Sequence, residues 1–133
     1  MGQGPLMNSP ILPDTDILVD FFRGHSKAVH FVNDYAARII LSSMVVAELY
    51  AGVTGKAEQT AIENFVLLFR VIPVSTEIAM TGGLYKRNYG KSHGVGLKDA
   101  ILAATAKAER AELKTLNIKN YPMIKGLRPA YTK

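Results

Sequence analysis

The chain has 133 residues, 48% of them apolar and 20% charged. That length suits one domain, and that balance excludes a disordered tail, a collagen-like repeat and a coiled coil. Lys and Arg number 16 against 11 acids, a formal charge of +5 that fits a polyanionic partner and many ordinary basic domains alike.

The sequence has no cysteine, so disulfides, thiolate zinc sites and cysteine nucleophiles are excluded. No run approaches the ~20 apolar residues of a membrane span. Residues 1–9 predict a flexible start, with 1–6 reading as a vector-derived leader and Met7 as the native start. MGQGPLMNSP lacks the basic end and apolar segment of a secretory signal, so a single cytoplasmic domain over 1–133 is expected.

Ile11-Leu12 predicts a short strand ending at Asp14, and Ile17, Leu18, Phe21 and Phe22 then recur at helical spacing until Gly24. A second helix begins near Ser26, with Val29, Val32 and Ala36 on one face. Ile39-Ile40-Leu41 predicts a buried strand. Ser42 and Ser43 are N-cap candidates for a helix from Met44 to about Ala51, stopped by Gly52. Ile62, Phe65, Val66 and Phe69 mark another helix, and Val71–Val74 a strand whose Pro73 suits an edge or an end. Ser75 or Thr76 caps a helix through about Tyr85, and Gly90–Gly96 predicts a loop. Asp99 opens an alanine-rich helix through about Arg110, and Leu113–Leu116 is the last strand, followed by Asn117 and a basic tail. Strands alternating with helices imply an α/β fold with right-handed crossovers and a mostly parallel sheet. In such sheets ligands sit beyond the carboxyl ends of the strands.

Asp14, Glu48, Asp99 and Asn117 stand where that rule directs attention. Asp14 and Asp99 also suit N-caps, and Asn117 suits a turn. Glu48 is different: at helical spacing its neighbours are Met44, Val45, Ala51 and Gly52, and a carboxylate on an apolar face is costly unless paired or metal-bound. Were the three acids to converge at ~5 Å, each like-charge pair would cost roughly 3 kcal/mol at an effective dielectric near 20. A cation resolves that repulsion, and all-oxygen ligands favour Mg2+ or Mn2+ over Zn2+. Such an ion suits phosphodiester hydrolysis, with the neutral amide of Asn117 orienting a water or a carboxylate.

Asp16 makes a D-x-D pair with Asp14, and Asp20 reads as a solvated or capping charge. Thr15, Ser42, Ser43 and Thr115 can hold carboxylates or cap helices. His25, His30 and His93 have no metal-binding spacing, and no P-loop, dinucleotide or nucleophile-elbow motif is present. Lys86, Arg87, Lys91 and Lys98 form an acid-free stretch leading into Asp99. Lys114, Lys119, Lys125, Arg128 and Lys133 form a second, interleaved, like the first, with Tyr85, Tyr89, Tyr121 and Tyr131. Such stretches can contact phosphates and stack on unpaired bases, or simply form a solvated face.

These residues resemble the PIN-domain ribonucleases, and within them VapC-type toxins of toxin–antitoxin pairs. Ile11-Leu12-Pro13-Asp14-Thr15-Asp16 resembles the first motif, Ser43 to Gly52 with Glu48 the second, Gly94 to Ala106 with Asp99 the third, and Thr115 to Pro122 with Asn117 the fourth. The resemblance covers about Ile11 to Tyr121. It departs from the family at Asn117, where an acid is frequent, at Lys98, where Pro is common, and at Asp16, a slot often held by Asn or Ser.

The resemblance implies a PIN-like three-layer α/β/α fold with a mostly parallel sheet of four or five short strands. It implies a Mg2+- or Mn2+-dependent endoribonuclease in which Asp14, Glu48 and Asp99 hold the metal and Asn117 assists. It further implies a homodimer, an inhibiting antitoxin, and transfer or ribosomal RNA as substrate. Two other readings compete with it. An aspartyl-phosphate phosphatase using Asp14-Thr15-Asp16 lacks the second acid four residues after Asp99, where Ala103 stands. A non-catalytic protein is the other: a receiver domain lacks its acid after Val71–Val74, and an inert RNA-binding PIN relative would be expected to lose one of the three acids.

Overall fold

The computed structural model describes residues 9–133, so the flexible start expected for residues 1–8 lies outside the described residues. Position 9 departs from that expectation: the Ser9 hydroxyl donates to Glu112 Oε2 at 3.0 Å and its carbonyl accepts from Arg38 Nε at 2.9 Å.

Among the described residues, four strands of three residues each form the sheet: β1 (Ile11–Pro13), β2 (Ile40–Ser42), β3 (Arg70–Ile72) and β4 (Glu112–Lys114). β1 pairs parallel with β4, Leu12 opposite Leu113, and β2 pairs parallel with β3, Leu41 opposite Val71. A parallel bridge from Ile11 to Ile39 joins the two pairs in the order β3-β2-β1-β4. β1 and β2 are buried along their whole length, as continuous apolar runs covered on both faces should be.

Six helices cover the sheet among the described residues: α1 (Thr15–Phe22), α2 (Ser26–Tyr35), α3 (Ser43–Ala51), α4 (Lys56–Val66), α5 (Thr76–His93) and α6 (Leu97–Glu109). α1 packs on α2 and α3, α3 packs on α4, and α5 packs on α6, which completes a three-layer α/β/α arrangement. Phe21, Phe22, Phe65 and Phe69 form one aromatic cluster between the first group of helices, with centroid separations of 4.8–5.2 Å. α6 is the most deeply set helix, with Asp99 to Ala106 buried without interruption.

Several boundaries move from expectation. α4 begins at Lys56 and ends at Val66, leaving Phe69 in the turn before β3. β4 stops at Lys114, which leaves Thr115 and Leu116 in the turn beyond it. α5 runs past Tyr85 through Gly90 to His93, where the expected loop is helical. Gly90 lies inside it with the Lys86 side chain alongside, donating to the Val95 carbonyl at 2.8 Å, and the helix ends where Gly94 turns left-handed at φ 67°. Asp99 does not open α6. Gly96 is the residue before the helix, and Asp99 is the third residue inside it.

Candidate active site

The carboxyl end of β1 delivers Asp14, a candidate site residue that is also the N-cap of α1. Its Oδ1 accepts the Thr15 N–H at 2.7 Å, the capping bond that starts α1. Its Oδ2 accepts two hydroxyls, Thr115 at 2.9 Å and Tyr121 at 2.6 Å. The Tyr121 oxygen also lies 3.1 Å from Asp99 Oδ1, so one phenol sits between two carboxylates. A single hydroxyl proton cannot serve both at full strength, and the two acids share it. Tyr121 is 1% exposed. Burial first, then the charges of Asp14 and Asp99 and their hydrogen bonds, pushes its pKa far up, so it stays a neutral donor.

Asp16, one helical step on, bonds locally and across the sheet. Oδ1 accepts the Ile17 N–H at 2.8 Å, while Oδ2 accepts the Leu116 N–H at 2.9 Å and lies 3.3 Å from the Thr115 hydroxyl. Burial, reinforced by the charge on Asp14, raises its pKa against the opposing pull of those donors.

Glu48 comes from α3, which Ser42 caps through the Met44 N–H at 3.0 Å. The apolar neighbours expected on its own helix are there, and its partners come from elsewhere in the chain. Oε1 accepts the Thr15 hydroxyl, and Oε2 lies 3.5 Å from the ammonium of Lys98, which also lies 3.2 Å from Asp99 Oδ1. Burial disfavours that ammonium, yet the carboxylates of Asp14, Asp99 and Glu48 outweigh burial and hold its pKa above the ordinary lysine value.

Asp14, Glu48 and Asp99 therefore do come together, linked through Tyr121 and Lys98. Among the described residues no three His, Cys, Asp or Glu side chains are drawn into one metal-binding group, and the acids are spaced about an ammonium. Asn117 does not join them by its side chain. The residue is exposed, its N–H donates to Thr115 Oγ1 at 3.1 Å, and its amide makes no hydrogen bond among the described residues. The carboxylate-orienting role expected of it falls to Thr115 and Tyr121.

The sequence allows Tyr121 either a base-stacking role or a place on a solvated face, and the structure buries it. Its true surroundings come from a short 3-10 turn (Ile118–Asn120) that reverses the chain after β4, and the signal for it was an aromatic four residues beyond Asn117 in the fourth motif. Tyr131 also turns inward. Its hydroxyl donates to Asp20 at 2.9 Å, and Lys133 reaches the same carboxylate at 3.0 Å. Asp20 is thus buried and paired rather than solvated. In the first basic stretch, Lys86 is occupied by the Val95 carbonyl and Lys98 by the acids, while Arg87 touches only Asn88 and Lys91 is exposed.

One concavity adjoins these groups and another lies away from them, at the C-terminal end of α6. A cleft of about 380 Å³ opens beside Glu48, walled by Val19, Phe22, Leu49 and Ile62. A groove of about 860 Å³ runs along β4 and carries Lys107, Arg110, Lys125 and Arg128 on its rim.

Parallel sheet, capped acids and their order along the chain define the class, and the PIN domain profile matches residues 11–119. The chain belongs to the PIN-domain family. Within it, the chain is 34% identical over 126 residues to ribonuclease VapC10 of Mycobacterium tuberculosis, covering 91% of this chain and 92% of that protein. It is 37% identical over 125 residues to ribonuclease VapC19 of the same species, covering 90% and 98%. Among solved structures, a toxin–antitoxin complex from Klebsiella pneumoniae superimposes with a TM-score of 0.79 at 27% identity, covering 91% of this chain and 98% of that one. VapBC2 from Rickettsia felis, bound to a DNA fragment from its promoter, gives 0.72 at 28% identity over 88% and 94%.

Proposed function

We propose that the chain is a divalent-metal-dependent endoribonuclease and the toxin of a toxin–antitoxin pair. The observation that carries this reading is the chain of contacts beyond the carboxyl end of β1, in which Tyr121 joins Asp14 to Asp99 and Lys98 joins Asp99 to Glu48, in a chain similar to named ribonucleases over nearly its whole length.

The donor set suits Mg2+ or Mn2+. It is all oxygen, it carries an excess of negative charge, and it already draws an ammonium to Glu48 and Asp99. Asp14, Glu48 and Asp99 would hold the ion, which supplies a Lewis acid for phosphoryl oxygens and acidifies water. Thr115 and Tyr121 fix the Asp14 carboxylate, Thr15 fixes Glu48, and Tyr121 ties Asp14 to Asp99, so the acids need little reorganisation. Hydrolysis places the water hydroxyl on phosphorus and leaves a proton with the departing ribose oxygen. Asn117, exposed beyond β4, would assist through its amide. Arg87 and Lys91 on α5 are the free cations of the first basic stretch and serve the RNA backbone, with transfer or ribosomal RNA as the substrate class the resemblance implies.

The cleft beside Glu48, which joins Val19, Phe22, Leu49 and Ile62 to the polar groups of Arg23, Thr54 and Glu58, suits an inhibiting antitoxin segment, and the similar solved structures include toxin–antitoxin complexes. Met80 and Leu84, exposed one turn apart on α5, and Leu97 suit a second copy of the chain. No helix of the described residues is long and apolar enough to cross a membrane, and a cytoplasmic site of action is part of the proposal.

The test is cleavage of total cellular RNA by antitoxin-free protein with Mg2+ or Mn2+, with EDTA, and with Asp99→Asn. Discrete fragments that require both metal and Asp99 are expected. Cleavage indifferent to EDTA and to Asp99→Asn would overturn the reading.

A further inference from the structure

Lys98 is the second residue of α6, a poor place for a cation. The peptide dipoles at a helix N-terminus favour negative charge there, and partial burial adds to the cost. A solvated lysine would extend away. This one turns in, 3.2 Å from Asp99 Oδ1 on its own helix and 3.5 Å from Glu48 Oε2 on α3. Glu48 Oε1 is already engaged by the Thr15 hydroxyl, so the ammonium faces the oxygen that remains free. Two carboxylates from separate helices and one mobile charge between them form a cation site that the chain fills from its own sequence.

We propose that Lys98 is an internal competitor for the cation site, its ammonium contending with the divalent ion for the carboxylates of Glu48 and Asp99. The inference rests on the divalent-metal reading above. The two occupants exclude each other, because an ion on those oxygens would stand against a like charge at contact distance. The lysine can yield: its side chain is 40% exposed, on a flexible four-carbon stem with a path to water. Lys98 therefore weakens metal binding while steadying the acids when no ion holds them. It is a positioning residue, and a simple ion pair would contribute stability alone.

The experiment is calorimetric titration of the full chain with Mn2+, with the Mn2+-induced rise in melting temperature as second readout. Wild type, Lys98→Met, Lys98→Arg and Asp99→Asn are compared. Lys98→Gln, which keeps a polar end, serves if the Met variant folds poorly. Lys98→Met is expected to bind Mn2+ about tenfold more tightly, equivalent to about 1.4 kcal/mol. It should melt lower than wild type without metal and gain more from Mn2+. Lys98→Arg should bind no more tightly than wild type, and Asp99→Asn should lose binding. Equal affinity of wild type and Lys98→Met, with binding lost in Asp99→Asn, would overturn the competitor and leave the metal site standing. No binding by any variant, or binding indifferent to Asp99→Asn, would overturn the metal reading and the competitor with it.

Discussion

Asp14 shows how one side chain can satisfy two demands. Its capping bond uses Oδ1 and its bonds to Thr115 and Tyr121 use Oδ2, so capping α1 is compatible with the proposed role in the site. Asp14→Asn and Asp99→Asn keep the shape and remove the charge, and both are expected to abolish metal-dependent RNA cleavage with far-ultraviolet circular dichroism unchanged. Tyr121→Phe deletes the hydroxyl between the two acids and should lower stability by about 1–3 kcal/mol, read from urea melts, since two buried carboxylates lose a donor. Asn117→Ala, in an exposed residue whose amide has no partner among the described residues, should change stability by less than about 0.5 kcal/mol and reduce cleavage far less than Asp99→Asn. Asp20 supplies a pH signature. Burial opposes its ionisation, but Lys133 and Tyr131 outweigh burial and hold its pKa below the ordinary carboxylate value. A depressed folded-state pKa stabilises fully above the unfolded value and is lost as pH falls through the folded one. Lys133→Ala should therefore destabilise the protein at neutral pH, and the gap to wild type should close in acid melts as Asp20 protonates.

The elements were legible from sequence in kind and less so in extent. Periodicity located each α-helix among the described residues, and Ser42 and Ser75 are the caps they resemble, but α2 buries Ala28, Phe31 and Val32 rather than the face of Val29, Val32 and Ala36, since Ala36 lies exposed in the 3-10 turn that follows. The length of α5 was not legible, since Gly90 reads as a breaker in one dimension, whereas in three Lys86 crosses it to reach the Val95 carbonyl. Gly82 carries the tightest contact between α5 and α6: a Cβ there would stand 2.9 Å from Ile101 Cγ1 and 3.1 Å from Ile101 Cα. Gly82→Leu is expected to push the helices apart and cost about 1–3 kcal/mol in a thermal or urea melt. An unchanged midpoint would show that the pair slides without loss.

At the scale of the molecule, negative charge is concentrated beyond the end of β1 and positive charge is spread over the surfaces around it. RNA must approach acids that repel it, so its hold comes from the surrounding cations. Affinity of an Asp99→Asn chain for single-stranded RNA should fall steeply with salt, with a log–log slope of about −0.7 per phosphate contacted. Arg87→Ala and Lys91→Ala should each make that slope shallower by about 0.7 in fluorescence anisotropy titrations. A slope indifferent to both, and reduced instead by Arg110→Ala and Arg128→Ala, would move the RNA path to the groove along β4.

The sequence by itself determined the alternation of elements, the acids Asp14, Glu48 and Asp99, and the family they spell. Apolar periodicity and an isolated carboxylate on an apolar face are local patterns, written within a turn or two of chain. The tertiary structure decided how those acids are held. Tyr121 is 107 residues from Asp14 in the chain and 2.6 Å from it in space. Lys98 reaches Glu48 from another helix, and Asp20 is closed off by the last residues of the chain. Partners so remote are chosen by where the sheet and its crossovers bring them, and nothing in the neighbourhood of either residue encodes the meeting.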